Sequence, residues 1–422
     1  MHKLISGYLF FYALTFNYNT VSAQESIENY VKQNASTVSS INPDDTDYSD
    51  LAPLGKAIGE SKIVLLGEQD HGDALTFSAK TRIVKYLHTR LGFNVLAFES
   101  DFFSLNRGWD SLEKSKTAIA SFLKSNVTKV WAHCQNCSDL LYTYIPETFG
   151  TSSPLQVTGF DNQMFLDFSL KHLAEELNNL IANNNLEIGS RSNYQTEIKP
   201  LFDSLIGFQW LKAYYHKEIP DSEFVKCNFY LEILHRQVLE KMAPEDFWVK
   251  VVENLIVQNQ MLSKLKISLI ANGIRDAQMA LNIQWLSEIK FKGEKIIVWA
   301  ANMHIARNEN GFKSMGYVLG DGLIKKEETY ILGFTSYSGE GGRLAGAAYT
   351  IRPASSNTIE AWLKAKSDYA FVDYKKFNEQ NPLTDTKFYQ RSQGYTSFKR
   401  KWNKIYDGLF FIAEMRRCLP MQ

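Results

Sequence analysis

Short, continuous apolar runs alternate along this chain with longer stretches in which apolar residues recur every three or four positions. The runs read as strands over 62–67, 94–99, 156–160, 295–300, 330–335, 347–351, 369–372 and 408–413. Several are apolar throughout rather than alternating, as strands covered on both faces of a parallel sheet are. Helical periodicities follow the first two, as βαβ crossovers require. The pattern predicts an α/β protein with a mostly parallel central sheet flanked by helices. Between 162 and 290 no run reads as a strand, and Phe247, Val251, Leu255 and Ile256 fall on one helical face. This predicts a helical insertion over 162–290, closing part of a cleft, between core segments 51–161 and 291–422. Residues 24–50 read as an N-terminal helix and linker, with 34–40 and the pair Asp44-Asp45 as loop rather than core.

The first residues add a compartment. His2 and Lys3 precede an apolar run from Leu4 to Phe16, and Val21-Ser22-Ala23 offers small residues before a cut after Ala23. That is the layout of a secretory signal peptide over 1–23, and the run falls short of the roughly 20 residues a membrane span needs. The mature chain is expected to be exported, periplasmic or extracellular, and free of the membrane. Four cysteines follow: Cys134, Cys137, Cys227 and Cys418. For Cys134 and Cys137 a local disulfide, or two reduced thiols at a helix start, is preferred over a redox or zinc site, since no second CxxC exists. The formal net charge is zero, so nothing global points to nucleic acid or an anionic membrane surface. The 21 Tyr, 27 Phe and 8 Trp serve a large core first and the lining of an apolar ligand site second.

Candidate chemistry gathers where predicted strands end. The first strand runs into Gly67-Glu68-Gln69-Asp70-His71-Gly72-Asp73, the second ends at Glu99, the third at Asp161, and the fourth leads to Ala301-Asn302-Met303-His304. In open α/β sheets loops converge over the carboxyl ends of strands, so these groups are expected on one rim. In the following helix Lys80 falls on the stripe of Val84, Leu87 and Leu91. It either pairs with a strand-end carboxylate or snorkels to water. Arg275, Met279, Asn282 and Leu286 share another helix face, which suits a polar site or a structural ion pair equally.

These segments resemble the erythromycin esterase family. The turn Gly67-Glu68-Gln69-Asp70-His71-Gly72, the block from Gly92 to Glu99, Gly159-Phe160-Asp161, Arg275-Asp276-Ala277-Gln278-Met279, Trp299-Ala300-Ala301-Asn302-Met303-His304 and the closing run from Tyr406 to Ile412 carry the likeness. The resemblance implies a carboxylic ester hydrolase that opens a macrocyclic lactone, inactivating a macrolide antibiotic, with no essential metal and no cofactor. It puts the base on His71, its neighbouring glutamate on Glu68, the second glutamate on Glu99 and the later histidine on His304. Two positions depart from the pattern. Ala301 stands where the family has the first histidine of its block, and Lys80 where it has an arginine, which keeps the charge without the bidentate fork.

Ester hydrolysis needs an activated water, a donor for the oxyanion and a proton for the leaving alkoxide. His71 can take the first proton if Glu68 or Glu99 orients its other nitrogen. Lys80 or His304 is the candidate oxyanion donor, and Asp73, Asp161, Asn302 and Arg275 are candidate substrate contacts. No GxSxG elbow supports a serine nucleophile. The expected partner is a small-molecule ester, with the chain acting as a monomer. Two other readings stay open: metal-assisted hydrolysis through Glu68, His71, Glu99 and His304, and a non-catalytic binder of a small molecule or glycan on the same scaffold.

Overall fold

A computed structural model describes residues 23–207, 220–307, 311–382, 385 and 387–421. The signal-peptide reading falls almost wholly on residues outside this set. Eleven strands are described: β1 (Ser36–Thr37), β2 (Ile63–Leu66), β3 (Phe93–Asp101), β4 (Gln156–Asp161), β5 (Lys295–Trp299), β6 (Thr329–Gly341), β7 (Tyr349–Ile351), β8 (Tyr369–Asp373), β9 (Phe388–Gln390), β10 (Phe398–Arg400) and β11 (Gly408–Met415). The main sheet runs β1-β8-β11-β6-β2-β5-β3-β4, with β7 on β6. The six strands from β11 to β4 are mutually parallel, and β8, β1 and β7 join antiparallel. The sheet is therefore mixed around a parallel centre, and all eight strands expected from apolar runs are present.

Period-two burial explains the continuous runs. Ile63, Leu65, Val95, Ala97, Ile296 and Val298 enter one core, while Val64, Leu66, Leu96, Phe98, Ile297 and Trp299 enter the other. The second core is closed by the Ala74–Leu91 helix through Phe77, Val84 and Leu87. The first is closed by helices Asp221–Leu239, Phe247–Ser263 and Ser268–Trp285, and no strand occurs among the described residues from 162 to 290. Strands covered on both faces cannot alternate apolar with polar, which is why their sequence does not.

Two local expectations change. The segment read as loop near residues 34–40 contains β1 at the sheet edge, and Val38 and Ile41 are buried. The cysteine expectation is also corrected: Cys134 pairs with Cys418, closing the C-terminal segment onto the loop, and Cys137 is a buried free thiol. A partner 284 residues away in the chain leaves no signal in local spacing.

Asn302, which follows β5, joins that strand to β6 and to the segment around Ser392. Its Nδ2 donates to Phe334 O at 2.7 Å and Ser392 O at 2.6 Å, and its Oδ1 accepts from Phe334 N at 3.0 Å. The same oxygen would lie 1.9 Å from any Cβ at position 67, so Gly67 is required for this approach. Asn302→Ala would strand three buried backbone groups. We expect a loss of about 3 kcal/mol in urea unfolding; an unchanged midpoint would mean those groups find water.

Candidate active site

The strands that end in titratable groups, β2, β5, β3 and β4, are consecutive neighbours in the parallel sheet, so their carboxyl ends share one rim. Glu68, at the end of β2, is wholly buried. Its Oε2 accepts from Lys80 Nζ at 2.6 Å, and its Oε1 accepts from Trp131 Nε1 at 2.9 Å and bonds His71 Nδ1 at 2.9 Å. A buried carboxylate is costly unless fully partnered, and here each oxygen is.

His71 is the solvent-facing member, with its side chain 22% exposed. Its ring stands edge-on to Trp131, with centroids 5.6 Å apart. Burial lowers its pKa, but the Glu68 hydrogen bond and the charges of Glu99 and Glu68 outweigh that and raise it above the ordinary value. With Nδ1 held by Glu68, Nε2 has no protein partner among the described residues. His71 lies on the walls of two cavities. One, of about 660 Å³, is shared with Gln69, Asp70, Ala301 and His304. The other, of about 200 Å³, is shared with Glu99, Trp131, Asp161 and Arg275.

Lys80 takes the paired alternative. Its side chain is fully buried, Nζ also reaches Ala300 O at 3.3 Å, and the ammonium sits 4.1 Å from the Trp299 ring centroid. Burial lowers its pKa against the opposing pull of Glu68. It lines neither cavity, so the expectation that Lys80 donates to an oxyanion is corrected: it positions Glu68.

A second cluster surrounds Glu99. Arg275 Nη2 donates to Glu99 Oε1 at 2.7 Å and to Asp161 Oδ2 at 2.7 Å, while Nε donates to Asp161 Oδ1 at 3.0 Å. Glu99 Oε2 accepts from Ala301 N at 3.0 Å. Burial raises the Glu99 pKa, but the charges of His304, Arg275 and His71 hold it well below the usual carboxylate range. His304 Nδ1 bonds Asp276 Oδ1 at 2.7 Å, and the other oxygen of Asp276 accepts from Met315 N at 2.9 Å. With Nδ1–H committed to Asp276, Nε2 either accepts from Arg275 Nη1 at 3.1 Å or, protonated, donates to Glu99 Oε1 at 3.3 Å. Burial lowers the His304 pKa, and the Asp276 and Glu99 charges more than reverse this. Of the five N–H groups of Arg275, only one on Nη1 remains uncommitted beside the small cavity.

The expected substrate contacts sort differently. Arg275 borders the small cavity, but both oxygens of Asp161 are spent on Arg275, so Asp161 clamps that arginine. Asn302 is saturated by backbone and lines neither cavity. Asp73 is sealed beneath Tyr395, which donates to its Oδ1, and burial pushes its pKa up to about 7. Neither Asp73 nor Asn302 can touch a ligand in this arrangement. Sequence reasoning missed Asp276 and Trp131 as partners of the two histidines. Asp276 had a usable signal, since it adjoins Arg275 on the same helix; Trp131 had none, because a tryptophan outside any strand reads as core.

A titratable cluster on the rim of a parallel sheet, with an imidazole open to a cleft, can carry general acid–base chemistry. Residues 88–415 match the model of the family described as erythromycin esterase, and the chain belongs to this hydrolase family. The matched span begins after the His71 turn. A Bacillus subtilis protein named "Putative hydrolase YbfO" is 27% identical over 397 residues, covering 87% of this chain and 86% of that protein. Erythromycin esterase type II of Escherichia coli is 25% identical over 336 residues, covering 71% of this chain and 74% of that one. The solved structure of an erythromycin esterase mutant, EreC, in its open conformation has the same fold, with TM-score 0.66 and 15% identity over 89% of this chain and 96% of that chain.

If Glu68 is what raises the His71 pKa, Glu68→Gln will move the His71 NMR titration midpoint down. An unmoved midpoint would assign the shift elsewhere.

Proposed function

We propose that this protein is exported and hydrolyses a small-molecule carboxylic ester with water activated by His71, needing no metal. One observation carries the reading: a buried, fully partnered Glu68 fixes His71 Nδ1 and leaves Nε2 facing the cleft. In the step envisaged, Nε2 takes a proton from water as the water oxygen adds to the ester carbonyl. The oxyanion forms beside the uncommitted Nη1–H of Arg275, with His304 as the second cation when protonated. Collapse then breaks the acyl–oxygen bond, and the imidazolium returns its proton to the departing alkoxide. Glu68, Lys80 and Trp131 act only by holding the ring, and Asp161, Glu99 and Asp276 by holding Arg275 and His304.

The name of the Escherichia coli relative supports a macrocyclic lactone as substrate, which would make the reaction an antibiotic inactivation. Ala301 and Lys80 weigh the other way, since Ala301 puts a methyl group on the cavity wall where the family carries an imidazole. Ala301 also favours a second reading, that the cleft binds a ligand without turning it over. A metal-assisted route is disfavoured by commitment: both oxygens of Glu68 and Glu99 and both nitrogens of His304 already have protein partners. Export is supported by the leader pattern and by the Cys134–Cys418 bond, which persists in oxidising compartments.

Incubating the mature chain with macrolides and with simple aryl esters reads both proposals, because lactone opening adds the mass of one water. His71→Asn should reduce turnover by about 10²–10⁴ with an unchanged melting temperature, and dialysis against a chelator should leave the native rate intact. Native activity in His71→Asn would remove the base from the mechanism. Bound but unaltered ligand would favour the binding protein.

A further inference from the structure

The large cavity beside His71 is electrostatically one-sided. Its wall carries Arg343, Arg352 and Arg391 against one carboxylate, Asp70. Arg343 Nε already pairs with Asp70 Oδ1 at 2.7 Å, which cancels that pair. Arg352 is exposed and has no ion-pair partner among the described residues. Arg391 is only 6% exposed and rigidly held. Its Nε donates to Tyr395 O at 2.9 Å, and its Nη1 to Tyr337 O at 3.0 Å and Arg352 O at 2.8 Å. Carbonyls fix a guanidinium without neutralising it. The two N–H groups on Nη2 have no partner among the described residues and are not sealed from solvent.

Glu360 does not supply the missing charge directly. Its Oε1 is spent on the backbone N of Arg391 at 2.7 Å and on Thr335 Oγ1 at 2.6 Å, and burial pushes its pKa up. The arginine is also tied to the reacting turn. Gln69, two residues before His71, donates from Nε2 to Arg391 O at 2.8 Å and accepts from Ser336 Oγ at 2.9 Å. A fixed, largely desolvated guanidinium with a free pair of donors on a cavity wall matches the fork geometry of an anionic oxo group.

We propose that the substrate of this cleft carries an anionic oxo group, a carboxylate, sulfate or phosphate, remote from the scissile ester and held by Arg391 Nη2 and Arg352. The proposal rests on the reading of the cleft as an ester hydrolase site and narrows its substrate class. A macrolide bearing a basic amino sugar would bring a cation to this wall, and like charges meeting there oppose binding.

Three aryl acetates with one acyl group test it: phenols bearing para-sulfonate, para-methylsulfonyl or para-trimethylammonium. Native protein should favour the sulfonate over the neutral sulfone by about tenfold in kcat/KM, with the cation lowest. That ratio should fall towards one in Arg352→Gln, at an exposed position, and in Arg391→Lys, which keeps the charge but loses the fork. Equal selectivity in native and variant proteins would overturn the anion site while leaving ester hydrolysis standing. If no ester is cleaved, the hydrolase reading fails, and calorimetric titration with 4-hydroxybenzenesulfonate decides the site alone. Binding that weakens in both variants supports it; no binding to native protein overturns it.

Discussion

A carboxylate with no access to water must be answered atom by atom, and Glu68 is that carboxylate. Removing it from solvent costs several kcal/mol before any partner is counted. The fold meets that cost with an ammonium from the Ala74–Leu91 helix, an indole N–H from the short Lys129–Ala132 helix between β3 and β4 and an imidazole from the turn after β2. Three separate segments must therefore dock correctly before the charge is tolerable. The ion pair with Lys80 is weak evidence for stability, because an apolar pair of the same volume would also pack. What the arrangement supplies is orientation: one histidine, one tautomer, one nitrogen left over.

The Glu99 cluster follows a similar rule with the charges reversed in role. Arg275 is gripped by two carboxylates and His304 by a third, so a guanidinium and an imidazole stand fixed at the rim without needing solvent to hold them. Fixed dipoles and charges cost no reorganisation when charge develops on a substrate. Between the clusters His71 borders both cavities. The small one brings it next to the Arg275 group, and the large one brings it to the arginine wall and Tyr349. Four adjacent parallel strands bring Glu68, His71, Glu99, Asp161 and His304 to one rim, helices supply Lys80, Trp131, Arg275 and Asp276, and Asn302 locks β5 to β6 and to the segment before Tyr395.

Much of this was legible in the chain itself. Uninterrupted apolar runs reported strands buried on both faces, and the polar residues that end them reported the rim. Lys80 on an apolar stripe left two outcomes open, a paired buried cation or a snorkelling one, and the face of Arg275 and Asn282 signalled polar contacts, one of which is Asn282 reaching Phe160 O at 2.9 Å. What could not be read were decisions between burial and exposure at the same rim. Asp73, Asn302 and Lys80 have the chemistry of site residues, yet backbone carbonyls, Tyr395 and Glu68 take up their polar atoms. The disulfide and the wall arginines depend on pairings far apart in sequence, which no local period encodes.

The central claim is that His71, raised by its acidic neighbours, acts in its neutral form. The pH dependence of kcat/KM on any ester the protein cleaves measures this directly. A group that works deprotonated gives a rate that rises as pH climbs through its pKa, so a raised His71 puts the acid limb above the ordinary histidine value of about 6.5. The account predicts such a limb, coincident with the His71 titration seen by NMR. A rate independent of pH between about 5 and 8, or a limb that ignores the imidazole titration, would contradict it.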